Sequence, residues 1–220
     1  MTTESAADTL TIEVWSDVLC PWCYIGDERL EKAMEASEHG DRIDVRIRAF
    51  QLDPDAPEEP RSTVAYLAEK YGKSLDEARG MEEQVQALAR EEGLAYEVDH
   101  AVRNTLDHLR VVKLAESHGA GWRVMKAMQR ELFGGTPDAF SHETAVRIAT
   151  EAGVPEDEVR DVLASDRYAD EVRSDQAEAQ ALGARGVPFT VLDRRLGIPG
   201  AVPTETYGQA ISQAWEQRNA

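Results

Sequence analysis

Cys20-Pro21-Trp22-Cys23 stands between an apolar run, Ile12-Glu13-Val14-Trp15-Ser16, and a segment that reads as a helix from about Tyr24 to Glu38. Two cysteines separated by two residues, at a strand–helix junction, can close a small disulfide ring. A helix start also supplies unpaired N–H groups and the positive end of the helix dipole, and both favour a thiolate over a thiol. Thiols in such motifs ionise at roughly pH 3.5–7.5 instead of about 8.5, which makes them nucleophiles near neutrality. Cys20, at the helix start where exposure and dipole are greatest, is the better attacking thiol. Cys23, one turn inside, can resolve the mixed disulfide that results. Pro21 fits the first helical turn, where the N–H it lacks would be unpaired. Trp22 forms an apolar rim around the sulfur.

Upstream, residues 1 to 9 read as a loose tail, and Ile12, Val14 and Ser16 alternate with Glu13, Trp15 and Asp17 as in a strand. Downstream, Ile25, Leu30, Ala33 and Met34 share one side of the helix, with Gly40 as its stop. Ile43, Val45, Ile47 and Ala49 then alternate cleanly in a second strand. Strand, helix and strand with a long crossover imply parallel, right-handed pairing. Asp53 to Pro60, rich in proline and acid, leaves the sheet.

From Ser62 to about Arg160 the pattern is helical. Ser74-Leu75-Asp76-Glu77 has the capping-box form, Ser62 and Ser141 are N-cap candidates, and Gly72, Gly93, Gly119 and Gly153 mark helix ends. A helix from about Asp166 to Leu182 precedes Gly186-Val187-Pro188 and a short strand, Phe189 to Leu192. Its hairpin partner is expected at Gly200-Ala201-Val202, after a loop at Asp193-Arg194-Arg195, and Pro203 or Thr204 opens the last helix. The expected organisation is an α/β domain from residues 10–60 and 166–218, with an all-α insertion over residues 61–165.

A chain of 220 residues buries a core without disulfide staples, and its two cysteines both lie in the motif, which excludes a secreted disulfide scaffold. Met1 to Asp8 has neither the basic nor the apolar region of a secretory signal, and no long apolar run follows, so the expected address is cytoplasmic. The formal charge of −18, from 24 basic and 42 acidic residues, repels DNA phosphates and anionic lipid. Neither nucleic acid nor membrane is an expected partner. The acidity itself reads as solubility.

Two cysteines could also be half of a zinc site, but a closed site needs four ligands. None of His39, His100, His108, His118 and His142 has the spacing of a paired ligand set, so no metal is expected and the histidines read as helix-surface residues. Val187-Pro188 carries more weight. A cis peptide there would turn the Val187 backbone toward the dithiol and leave its N–H and C=O free for a substrate strand.

Together, Cys20-Pro21-Trp22-Cys23, Gly186-Val187-Pro188-Phe189 and the order of elements resemble the DsbA-like thioredoxin-fold oxidoreductases, FrnE-like branch, near the 2-hydroxychromene-2-carboxylate isomerases. Val14-Trp15-Ser16-Asp17, Phe50-Gln51-Leu52-Asp53-Pro54 and Asn104-Thr105 support it. The resemblance implies a thioredoxin fold (βαβ…αββα) with a large helical domain over the active site. It also implies Cys20 as attacking thiol, Cys23 as resolving thiol and Pro188 as cis-proline. Two positions depart from the family pattern: Val202 replaces a glutamine before Pro203, and Arg194 replaces the glycine of an Asp-Gly turn.

The leading expectation is a thiol-disulfide oxidoreductase acting on protein or small-molecule thiols and disulfides through a redox-active Cys20–Cys23 pair. No other cofactor is expected, and glutathione is a candidate co-substrate. The alternatives are a glutathione-dependent isomerase or transferase, which has no evident need of a resolving sulfur, and a chaperone-like binding module.

Overall fold

The computed structural model describes residues 9–218, so the expected tail lies outside the described residues except for Thr9. In chain order the first elements are β1 (Leu10–Ser16), α1 (Pro21–Glu35), β2 (Ile43–Ala49), β3 (Arg61–Ser62), α2 (Thr63–Tyr71), α3 (Leu75–Glu91) and β4 (Ala101–Val102). Then come α4 (Leu106–Ser117), α5 (Gly121–Phe133), α6 (His142–Glu151), α7 (Glu156–Leu163) and α8 (Ala169–Ala181). The chain closes with β5 (Phe189–Leu192), β6 (Leu196–Pro199) and α9 (Thr204–Arg218).

β1 is the axis. It pairs in parallel with β2 and antiparallel with β5, and β5 pairs antiparallel with β6, giving the order β2-β1-β5-β6. Its alternation sends Leu10, Ile12 and Val14 into one core with Tyr24, Ile25, Leu30, Tyr207 and Ile211. Trp15 enters a second core with Phe50, Ala179, Phe189 and Val191. A central strand buried on both faces is what a sheet sandwiched between helices requires. α1 and α9 pack together, α8 packs on β1 and β2, and α4 and α5 of the helical insertion pack on β2. This is a thioredoxin fold with a large helical insertion.

The caps expected from sequence form. Ser62, Ser74 and Ser141 each accept a backbone N–H at a helix start, with the full capping box at Ser74 and Glu77. Gly72 caps α2 with a left-handed φ of 62°.

Three boundaries differ from expectation. α1 begins at Pro21, not Tyr24, because Cys20 itself is the N-cap, and it ends at Glu35 before Gly40 is reached. Gly40 instead allows close approach, since a Cβ there would lie 2.5 Å from the Met34 carbonyl oxygen. α8 starts at Ala169, after Tyr168 in a left-handed conformation. The partner of β5 is Leu196–Pro199 and not Gly200–Val202, because the hairpin turns on Asp193, Arg194 and Arg195 alone, with Leu192 opposite Leu196.

In that turn Asp193 and Arg194 both hold positive φ, 46° and 54°, where a side chain costs roughly 1–2 kcal/mol. Side-chain bonds offset the cost. Asp193 accepts the Thr11 N–H at 3.0 Å and pairs with Arg218 at 2.7 Å, while Arg194 pairs with Glu13 at 2.8 Å.

His100 and His108 correct the surface reading of the histidines: both are buried. His108 lies on a helix enclosed along that stretch, beside buried Leu109, Val111 and Val112, and meets Phe140 edge-on at 5.3 Å. Burial lowers its pKa to about 4.

Candidate active site

Cys20 ends the β1–α1 turn in an extended conformation (φ −87°, ψ 110°), and its Sγ accepts the Cys23 N–H at 3.3 Å, capping the helix. Pro21 follows as the first helical residue, so Cys23 occupies the first turn and points inward. Both cysteines are free thiols. Across the site the Val187–Pro188 bond is cis, and the Cys20 thiol donates to the Val187 carbonyl oxygen at 3.5 Å. The geometry thus brings Cys20, Cys23, Val187 and Pro188 together.

Gly26 makes this approach feasible. A Cβ at that position would come within 3.0 Å of Pro188 Cγ and 3.2 Å of Ala201 Cβ.

Cys20 is less exposed than its place at a helix start suggests. Only 1% of its surface is accessible and none of Cys23's, whereas Trp22 is 44% exposed. The insertion faces Cys20 across open space. α2 and α3 wall a cleft of about 610 Å³ whose floor includes Cys20, Pro21, Trp22 and Val187, and whose walls include Tyr66, Lys70, Glu82 and Val85. Lys70 and Tyr66 both bond Asp53 Oδ2 at 2.5 Å. Burial would raise the Asp53 pKa, but those two partners outweigh it and hold the carboxyl below its ordinary value.

Behind Cys20 lies a sealed polar chamber. The Ser16 hydroxyl donates to Asp27 Oδ2 at 3.1 Å and also reaches the Cys23 sulfur. Gln129 Nε2, from α5, bonds Ser16 Oγ at 3.2 Å, Asp27 Oδ2 at 3.2 Å and the Asp17 carbonyl at 3.3 Å. Burial pushes Asp27 up to about 7, although the Gln129 and Ser16 bonds oppose it. Burial likewise raises Asp17 to about 6, against the Leu52 N–H that it accepts at 2.7 Å. The Cys23 thiol is driven well above its ordinary value, first by burial, then by the neighbouring Cys20 sulfur and Asp27.

Sequence reasoning missed Ser16, Gly26, Asp27 and Gln129. For Asp27 a signal existed, because it follows Cys23 by four residues on a helix and so shares its face. Two stretches that carried the family resemblance do meet: Gln51 Nε2 donates to Asn104 Oδ1 at 2.8 Å, and Asn104 Nδ2 to the Pro54 carbonyl at 3.0 Å.

A sequence profile of the DSBA-like thioredoxin domain matches residues 11–212. The chain belongs to this family. Among solved structures it is similar to a probable DsbA oxidoreductase from Streptomyces coelicolor, at 42% identity over 94% of this chain and 90% of that one, with a TM-score of 0.87. It also resembles the cytosolic disulfide reductase DsbM from Pseudomonas aeruginosa, at 18% identity over 95% and 97% of the two chains and a TM-score of 0.64. A 2-hydroxychromene-2-carboxylate isomerase matches at 16% identity over 95% and 98%, with a TM-score of 0.66. The last two likenesses show the fold alone. No curated protein matches by sequence. Among the described residues no helix is long and apolar enough to cross a membrane.

Proposed function

We propose that this DsbA-like protein is a thiol-disulfide oxidoreductase in which Cys20 exchanges with thiols or disulfides of proteins or small molecules and Cys23 resolves the intermediate. The observation that carries the reading is the asymmetry of the pair: Cys20 opens onto the cleft, and Cys23 is sealed behind it.

In the oxidative half-turn the Cys20 thiolate attacks one sulfur of a substrate disulfide. A Cys20–substrate bond forms, the substrate S–S bond breaks, and the released thiolate takes a proton from water. Capture removes the negative sulfur that helps to hold the Cys23 proton. That proton leaves through Ser16 to Asp27, whose value of about 7 suits exchange near neutrality. Cys23 then attacks Cys20 Sγ, releases the second thiolate and leaves the Cys20–Cys23 disulfide. The steps reverse when the ambient thiol pool is reducing. The Val187 carbonyl, which loses its Cys20 donor once that sulfur is ionised or captured, and the cis-Pro188 turn would align the substrate chain beside Cys20. Glutathione is a candidate co-substrate, supported by DsbM having been solved with it.

Cys23→Ser should accumulate mixed disulfides through Cys20, and Cys20→Ser should accumulate none, as read by non-reducing gels and intact mass. Equal trapping by both variants, or by neither, contradicts the assignment. The isomerase reading would require glutathione-dependent isomerisation that survives Cys23→Ser.

A further inference from the structure

The cleft in front of Cys20 has an uneven charge, and one of its acids has a free oxygen. Glu82, on α3, lines the cleft and is only 5% exposed. Its Oε2 accepts the Tyr96 hydroxyl at 2.6 Å, and the cleft it lines has Cys20 on its floor. Oε1 carries no hydrogen bond among the described residues. The one lysine or arginine among the described lining residues, Lys70, is already bound to Asp53 at 2.5 Å. His100, also in the lining, is pushed by burial toward its neutral form, with Nδ1 on the Glu97 carbonyl.

A carboxylate-bearing substrate therefore meets only a lysine whose charge Asp53 already balances, while an ammonium meets a half-satisfied carboxylate in the cleft that Cys20 lines. Charge complementarity of this kind selects partners more than it strengthens binding overall.

Building on the exchange reading above, we infer that the cleft prefers disulfides of the aminothiol class, with Glu82 Oε1 accepting the substrate ammonium, over anionic disulfides such as that of glutathione. In the reaction the protein's dithiol is oxidised to the Cys20–Cys23 disulfide and one substrate disulfide is reduced to two aminothiols, two electrons passing between them. Burial, aided by Asp99, raises the Glu82 pKa against the Tyr96 bond, so the preference weakens as pH falls and grows as it rises.

Three disulfides of nearly equal length isolate the charge: cystamine with two ammoniums, bis(hydroxyethyl) disulfide with none, and dithiodipropionate with two carboxylates. Each is mixed with pre-reduced full-length protein at pH 8, and single-turnover thiol loss is timed for wild type and Glu82→Gln. The wild-type-to-variant ratio cancels each reagent's intrinsic reactivity. Glutamine still accepts from Tyr96, so the pocket keeps its shape.

The cystamine rate should fall by about tenfold, the size expected for a hydrogen bond to a charged group. The neutral disulfide should change by less than about twofold and dithiodipropionate should speed up, while Glu82→Asp should retain most of the cystamine rate. Added salt should slow exchange with cystamine more for wild type than for Glu82→Gln, with no such selective effect for the neutral disulfide, which separates Glu82 from the pull of the chain's −18 charge. Ratios that move together for all three reagents, or no selective salt effect, overturn the inference and leave the exchange reading standing. A wild-type protein inert toward the neutral disulfide overturns both.

Discussion

In front of Cys20 lies a cleft walled by Tyr66, Lys70 and Glu82, all from α2 and α3; behind it lies a closed chamber of Cys23, Ser16, Asp27 and Gln129. The cleft is broad and largely apolar, and its polar groups pair off along its walls, Tyr66 and Lys70 on Asp53 and Glu82 on Tyr96. The chamber is small, and its polar atoms converge on two groups, the Asp27 carboxylate and the Cys23 sulfur. The first arrangement can discriminate among substrates without changing how the sulfurs react. The second can hold or release a proton without touching a substrate. Changes in front should therefore alter which disulfides react, and changes behind should alter whether captured ones are released, and at what pH.

The largest effect short of losing a cysteine should come from Asp27→Asn. Release of the mixed disulfide should slow by about a hundredfold near neutrality, the scale of lost acid–base assistance, while capture by Cys20 changes little. Rapid-quench measurement of the two steps separates them; equal slowing of both would dissolve the front–back distinction.

The same variant should be more stable than wild type at alkaline pH. Asp27 holds its proton to about 7 in the folded state, against 3.8 ordinarily. The native state is thus the better proton binder between those values, and its stability falls as pH rises through that window. The neutral amide should recover roughly 2–4 kcal/mol at pH 8 and progressively less toward pH 4, measured by urea unfolding at each pH. A gain independent of pH would mean that Asp27 is not the group that titrates.

Gln129→Met removes the amide donors from the chamber but keeps its volume. It should cost about 1–2 kcal/mol of stability and shift the acid limb of mixed-disulfide release to higher pH, because the Asp27 carboxylate loses a bond that favours its charged form. An unshifted limb would make Gln129 a packing residue only. Gly26→Ala should cost about 1–2 kcal/mol by pressing α1 against Pro188 and Ala201, and should slow exchange with all substrates alike.

Much of the fold was legible because its determinants are local. Period-two alternation marked β1 and β2, serine caps marked α2, α3 and α6, and a two-residue spacing marked the thiols. What escaped is non-local. Gln129 and Ser16 are 113 residues apart in sequence, and no pattern around Gln129 announces their meeting. The β3–β4 ladder is two residues long on each side, too short for any alternation to register. Cys20 is buried although it opens a helix, and its sulfur meets the Val187 carbonyl 167 residues away, which local spacing at the helix start does not announce. The aspartate–arginine turn was marked as a departure, but the bond from Asp193 to Thr11 that helps to hold it spans 182 residues of the chain.

Timed alkylation of the reduced protein by iodoacetamide at pH 7, located by peptide mass, tests the asymmetry of the two sulfurs most directly. A single adduct on Cys20, with Cys23 labelled only after denaturation, is the expected outcome. Labelling of Cys23 at the same rate in the folded protein, or of neither sulfur, would contradict the account.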